Sequence, residues 1–399
     1  MGSAALSASG LRRMHEIMAG HVEGGRMPGL VTLLSRRGEV YVDEIGVKEF
    51  GGRAAMRRDT IFRIASMTKP IIAVAALILV EECALRLDDP VDRLLPELAN
   101  RRVLARLDAA LDETVPAKRP ISLRDLLTFR LGIGLVLAPP GRYPIQKAIE
   151  EAGLAPGPNA PSRTPDEWMQ RLGALPLIHQ PGERWLYHTG SDVLGVLIAR
   201  ASGQSLEMFL RERIFEPLVM KDTGFHVPAE KLERLPTSYA TDMATRGVAV
   251  HDDPRAGGFA RPPVFPSGGG GLVSTVDDYH AFCRLLLGKG RHGSERVLSR
   301  PSIELMTTNH VTPEQKAGSE MLLGENRGWG FGLAVVTARD GLASTPGRFG
   351  WDGGRGTSAW SDPAEDLVGI LMTQRLMDSP EPPSVFLDFW TSAYQAIDD

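Results

Sequence analysis

Ten consecutive residues without a polar side chain, residues 71–80, set the strongest limit on what this chain can become. They follow Lys69-Pro70 and are closed by Glu81-Glu82. At about half the length needed to cross a bilayer, they read as a core helix that is apolar on every side. Such a helix is stable only when protein surrounds it, so the fold must supply a large interior. The chain can do so: 399 residues, 43% of them hydrophobic, suffice for one big domain or two closely packed ones.

The rest of the chain suggests how that helix is wrapped. Residues 11–22 carry apolar side chains at helical spacing and are stopped by Met27-Pro28-Gly29. Residues 30–35 and 39–46 are β-prone runs joined through Arg36-Arg37-Gly38, a hairpin that needs further strands to be stable. The far end offers them: residues 330–336, 348–352, 357–361 and 367–373 read as short strands, with a closing helix at 384–397. The expected fold is therefore of the α/β (α+β) type, a central antiparallel sheet built from both chain ends and flanked by helices. Residues 1–90 and 258–399 would form this sheet domain, and 91–257 a mostly helical insert. Within the insert, 123–129, 167–172, 191–201 and 206–214 read as helices, and 138–165 as a loop rich in Pro, Gly and Ala.

Several function classes recede on composition. Lys and Arg number 45 against 49 Asp and Glu, a formal net charge of −4, with no long basic run, so neither nucleic acid nor an anionic membrane is an expected partner. The two cysteines, Cys83 and Cys283, lie in apolar stretches that read as buried helix, which supports neither a disulfide framework nor a Cys-based zinc site. The histidines show no His-x-His or His-Glu-x-x-His grouping, so no metal and no cofactor is expected. Residues 1–10 lack the basic start and apolar block of a secretory signal, and a cytoplasmic location is expected.

The segment that carries chemistry is Phe62-Arg63-Ile64-Ala65-Ser66-Met67-Thr68-Lys69-Pro70, which runs directly into the apolar helix. Ser66 and Lys69, three apart at its first turn, share one face. They are the chain's only serine–lysine pair at that spacing. A serine hydroxyl is a weak nucleophile until a base takes its proton, and a lysine kept neutral by burial can be that base. The positive helix end favours an anion forming beside it. A three-residue spacing arises often by accident, but a lysine buried at the mouth of an apolar helix is costly without a purpose.

Ser66-Met67-Thr68-Lys69-Pro70, the helix behind it and Leu85-Arg86-Leu87-Asp88-Asp89-Pro90-Val91 resemble the penicillin-recognising serine hydrolases: class C β-lactamases, D-Ala-D-Ala peptidases and the family VIII carboxylesterases. Glu183-Arg184-Trp185-Leu186-Tyr187-His188-Thr189-Gly190-Ser191-Asp192 resembles the family's second motif, with threonine where its asparagine usually stands. The resemblance implies that Tyr187 shares a proton shuttle with Lys69, its phenol pKa lowered by the nearby ammonium. Phe349-Gly350-Trp351-Asp352-Gly353-Gly354-Arg355-Gly356-Thr357-Ser358 resembles the esterase form of the third motif, and implies an oxyanion hole from the N–H groups of Ser66 and Gly354. Trp351, Gly353, Arg355 and His188 are then expected to border the substrate. Taken singly, Tyr187 reads more readily as a buried aromatic anchor with a satisfied hydroxyl, and the Trp351 segment as a glycine-rich hairpin with Trp351 in the core. The stretches 121–128, 215–225 and 267–275 extend the resemblance over most of the chain, whereas Phe129-Arg130-Leu131-Gly132 departs from the family's usual His-Thr-Ser-Gly.

Trp351 in place of the lactamase lysine favours an uncharged acyl or alkyl group, so a small-molecule carboxylic ester, cleaved through a Ser66 acyl-enzyme, is the expected substrate. Arg355 could supply a substitute charge, which leaves β-lactam or D-Ala-D-Ala peptidase-like hydrolysis open. Acyl transfer on the same machinery and a catalytically inactive binding protein of the same fold are further alternatives. A Ser-His-Asp hydrolase using His188 is another, although no Gly-x-Ser-x-Gly elbow occurs. Oligomeric state is not legible.

Overall fold

The computed structural model describes residues 5–157 and 159–398. Residues 1–4, part of the stretch in which no secretory signal was read, lie outside the described residues, as does Pro158 within the 138–165 stretch. The first strands, Gly29–Arg36 (β1) and Glu39–Gly46 (β2), join five from the far end: Arg327–Trp329 (β3), Ala334–Val336 (β4), Phe349–Gly353 (β5), Thr357–Asp362 (β6) and Leu367–Thr373 (β7). Their order is β3-β4-β5-β6-β7-β1-β2, and every neighbouring pair is antiparallel. The two chain ends meet where Leu30 pairs with Thr373 and Arg36 with Leu367.

Strand β1 is buried along its whole length because the sheet is covered on both faces. Alternation sorts its side chains: Val31 and Leu33 enter one apolar cluster, Leu30 and Leu34 another. The first cluster holds helix α2 (Thr68–Glu81), which is buried without a break from Thr68 to Leu79. It also takes the apolar faces of α3 (Leu123–Leu127), α4 (Pro144–Glu151), α5 (Pro165–Ala174), α6 (Thr189–Ser202), α7 (Leu206–Leu210) and α8 (Val276–Leu287). The second cluster lies under α1 (Ala8–Glu23) and the C-terminal helix Ser384–Gln395. Among the described residues, no single helix is long and apolar enough to cross a membrane.

Some expectations fail for local reasons. The strand read at 330–336 is interrupted: Gly330 N–H bonds to the Leu333 carbonyl around Gly332, whose φ of +70° suits a turn and not a strand. The 138–165 loop contains α4, whose Ile145, Ala148 and Ile149 present a helical stripe behind a first-turn proline. Cys83 is exposed rather than buried in helix, because α2 ends at Glu81 and the chain turns through Cys83 at φ +59°. Two hairpins, Arg102–Leu104 with Thr114–Pro116 and Ser238–Thr241 with Val248–Asp252, fall within residues 91–257, where the sequence reads as mostly helical.

Candidate active site

Ser66 does not lie in the first turn of α2, as its spacing to Lys69 suggests, but in a short 3-10 turn, Ala65–Met67, that leads into it. Ala65 takes φ +44°, a left-handed conformation that surrounding contacts must hold in place. Those contacts exist. The Tyr279 hydroxyl donates to the Met67 carbonyl at 2.9 Å, Ile64 N–H to the Leu272 carbonyl at 3.0 Å, and Leu272 N–H to Thr68 Oγ1 at 3.2 Å. From the other side β5 closes on the turn. A Cβ on Gly353 would stand 2.3 Å from the Ile64 carbonyl oxygen, so only glycine permits this approach.

Lys69 Nζ lies 2.8 Å from Ser66 Oγ. The lysine is 1% exposed, and burial pulls its pKa from the usual amine range to about 7, partly opposed by Asp192. Tyr187 comes to the same point from the turn before α6, its ring centroid 4.7 Å from Lys69 Nζ. Its hydroxyl is hydrogen-bonded to Ser66 and accepts a 2.5 Å bond from Trp351 Nε1. The sign of its shift corrects the sequence-based expectation. Burial drives the phenol pKa up, and the bonds from Ser66 and Trp351 offset only part of the rise. The phenol therefore keeps its proton, while the amine can lose one near neutral pH.

The other expected residues divide. Trp351 and Gly354 border a cleft of about 240 Å³ together with Ser66, Tyr187 and, from the 138–165 stretch, Pro156 and Gly157. Gly356 N–H bonds to the Gly353 carbonyl at 2.9 Å, fixing the peptide whose N–H belongs to Gly354, and a Cβ on Gly354 would meet nothing within 4 Å. Gly353 and Arg355 do not line the cleft. Gly353 is turned onto the Ser66 turn, and Arg355 is buried with its guanidinium 5.1 Å from the Phe259 ring, beside the Arg63–Asp252 ion pair. Arg355 thus packs behind the cleft, on Phe259, and not along its lining. His188 borders the cleft, yet its polar contacts point inward: Nδ1 is 3.3 Å from Lys69 Nζ and Nε2 is 3.3 Å from Asp192 Oδ2.

Three features escaped the sequence reading. Asp192 is one, although its i,i+4 spacing from His188 on a helical stretch was a usable signal. Arg327, half-buried at the cleft and 5.1 Å above the Trp360 ring, is the cation where Arg355 was expected. The third is the aromatic wall behind Tyr187. Trp185 stacks on it at 5.6 Å, with Phe129 at 5.8 Å and Trp329 at 6.2 Å. Phe129 thus explains the departure from the usual His-Thr-Ser-Gly: a ring packs where that motif has a histidine.

A hydroxyl beside a buried amine that can lose its proton near neutral pH and a protonated phenol, opening on a cleft beside strand β5 of an antiparallel sheet, defines a serine hydrolase of the β-lactamase fold. The chain belongs to the β-lactamase family, whose model matches residues 14–384. It is 39% identical over 368 residues to an uncharacterized protein of Mycobacterium tuberculosis, covering 89% of this chain and 88% of that one. With Esterase EstB of Burkholderia gladioli it shares 32% identity over 379 residues, 90% of this chain and 88% of the esterase. Among solved structures it is similar to EstCE1, a hydrolase with promiscuous acyltransferase activity, at a TM-score of 0.79 and 26% identity, covering 97% of this chain and 98% of that one.

Proposed function

We propose that the protein is a carboxylesterase of the family VIII type, acting on small-molecule esters through a Ser66 acyl-enzyme. The observation that carries this reading is the protonation pattern at Ser66: an amine 2.8 Å away with a pKa near 7, and a phenol held protonated. In the proposed cycle Lys69 takes the Ser66 proton as Oγ attacks the ester carbonyl carbon. The tetrahedral oxyanion is held by the N–H groups of Ser66 and Gly354, roughly 3–4 kcal/mol of stabilisation for each donor. The carbon–oxygen bond then breaks, and the alcohol leaves with the Tyr187 proton, which Lys69 restores. Water attacks the acyl-enzyme, gives up a proton to the same pair, and releases the acid with Ser66 regenerated.

Trp351, which borders the cleft, supports an uncharged acyl group, as does the similarity to Esterase EstB. Two observations favour neighbouring readings. EstCE1 carries promiscuous acyltransferase activity, so an alcohol could replace water in the second half of the cycle. Arg327 at the cleft would suit a substrate carboxylate, as a β-lactam has. The two cysteines are unpaired, which accords with a cytoplasmic location.

The test is labelling with a fluorophosphonate probe and turnover of short p-nitrophenyl esters, with nitrocefin as the competing substrate. An adduct mapped to Ser66, lost in Ser66→Ala together with ester turnover, is expected. A label on another serine overturns the mechanism, and faster turnover of nitrocefin than of esters would make the protein a β-lactamase.

A further inference from the structure

Lys69, His188 and Asp192 form a line behind Ser66, and the line has only one consistent hydrogen-bond polarity. Asp192, in the first turn of α6, accepts from Ser267 Oγ at 2.7 Å and from Gly269 N–H at 2.9 Å through Oδ1, while Oδ2 faces His188 Nε2. Burial pushes its carboxyl up, but the bonds from His188, Ser267 and Gly269 more than reverse this, and it stays ionised. A carboxylate has no hydrogen to give, so His188 Nε2 must carry one. Burial and then the neighbouring Lys69 hold the imidazole below its ordinary pKa, so it is neutral and Nδ1 is left as an acceptor. Lys69 therefore donates to His188 Nδ1, and it donates also to the Gly269 carbonyl. A neutral amine has two hydrogens and one lone pair. With both hydrogens engaged, the lone pair is left facing Ser66 Oγ.

We propose that the His188–Asp192 pair is a positioning device that engages one N–H of Lys69 and so holds the amine lone pair on the Ser66 hydroxyl. The proposal rests on the reading of Ser66 as nucleophile and Lys69 as base, and it moves His188 from a substrate contact to a residue acting through Lys69. Two further observations show that the arrangement is built. His188 sits at φ +83°, ψ −65°, a strained conformation for a residue with a side chain, which the chain sustains at the N-cap of α6. Gly269 lies flat on the imidazole: a Cβ there would stand 2.8 Å from Nε2 and 3.1 Å from Asp192 Oδ1. Tyr187, His188 and Asp192 are the titratable side chains beside Lys69, and Asp352, on the strand opposite, acts on Tyr187.

The test uses the full chain and p-nitrophenyl acetate, with pH profiles that bracket the Lys69 value of about 7. His188→Leu removes the acceptor and is expected to lower kcat by roughly tenfold to a hundredfold with KM little changed. His188→Asn offers a carbonyl oxygen in its place, tolerates a positive φ, and should recover most of the rate. Asp192→Asn removes the charge that favours the ammonium, so the acidic limb of kcat/KM should move to lower pH by about half a unit or more. A purely structural role would lower the rate and leave that limb in place. Wild-type kcat in His188→Leu, equal loss in the Leu and Asn variants, or an unmoved limb in folded Asp192→Asn overturns the proposal. If near-ultraviolet circular dichroism finds Asp192→Asn unfolded, the two His188 variants decide. A fluorophosphonate adduct on Ser66 beside a fully active His188→Leu would sink the positioning device alone, whereas an adduct elsewhere would sink the reading beneath it.

Discussion

The two walls that meet at Ser66 are made of different material. The wall behind Lys69 is polar and fully partnered: Asp192, His188, Ser267 and the Gly269 backbone pass hydrogen bonds to one another and to the amine. The opposite wall is aromatic. Phe129, Trp185, Trp329 and Trp351 enclose Tyr187, which is hydrogen-bonded to Ser66 and to the Trp351 indole N–H. Burial acts on both in the same sense, because low dielectric favours the uncharged form of any group. The outcome differs by chemistry, since an uncharged amine is a base and an uncharged phenol is an acid. In the proposed cycle one physical effect thus sets up both halves of the proton shuttle, and each wall tunes its own half.

That division can be broken at four points, in decreasing size of effect. Lys69→Met keeps the length of the side chain and removes the base, so kcat should fall about a thousandfold in ester turnover. Tyr187→Phe leaves the aromatic wall packed and removes the acid, for a loss of roughly a hundredfold. Its pre-steady-state trace should slow in acyl-enzyme formation, the step in which the alcohol departs. The wild-type kcat/KM should drop about tenfold per pH unit once Lys69 is protonated below about 7. It should remain flat above that value, because the raised Tyr187 pKa keeps the acid protonated. A second, alkaline limb close to neutrality would show the phenol to be less shielded than its wall implies. The smallest effect is expected from Trp351→Phe, which retains a ring and deletes one donor to the phenol oxygen. A loss of roughly threefold to tenfold matches one hydrogen bond of about 0.5–1.5 kcal/mol. A collapse to the level of Tyr187→Phe would mean that the indole orients the phenol outright.

Much of this was legible in advance. The apolar run at 71–80, with Ser66 and Lys69 at its mouth, announced a buried helix that holds a serine and a lysine in contact, because a lysine beside such a run has few places to go. The β-prone runs at both chain ends announced one sheet, and β1 does pair with β7. The third-motif segment was harder to read, since Trp351, Gly353, Gly354 and Arg355 are near neighbours in sequence yet turn in different directions in space. Two of them face the cleft, Gly353 faces the Ser66 turn, and Arg355 faces Phe259. Side-chain direction at the end of a strand depends on the turn that follows, and composition does not record it.

What the sequence by itself determined was the local chemistry: a serine and an amine three residues apart, a tyrosine ahead of a helix, a glycine-bordered strand end, and enough apolar surface to bury them. These follow from spacing and residue type, which are local properties. Only the tertiary structure decided the charge states. Lys69 falls to about 7 and Tyr187 rises because α2, α6, the 267–271 backbone and the aromatic wall exclude water from one point. A pKa reports the full three-dimensional environment of a group, and residues 69, 187, 192 and 351 share that environment only once the chain has closed around them.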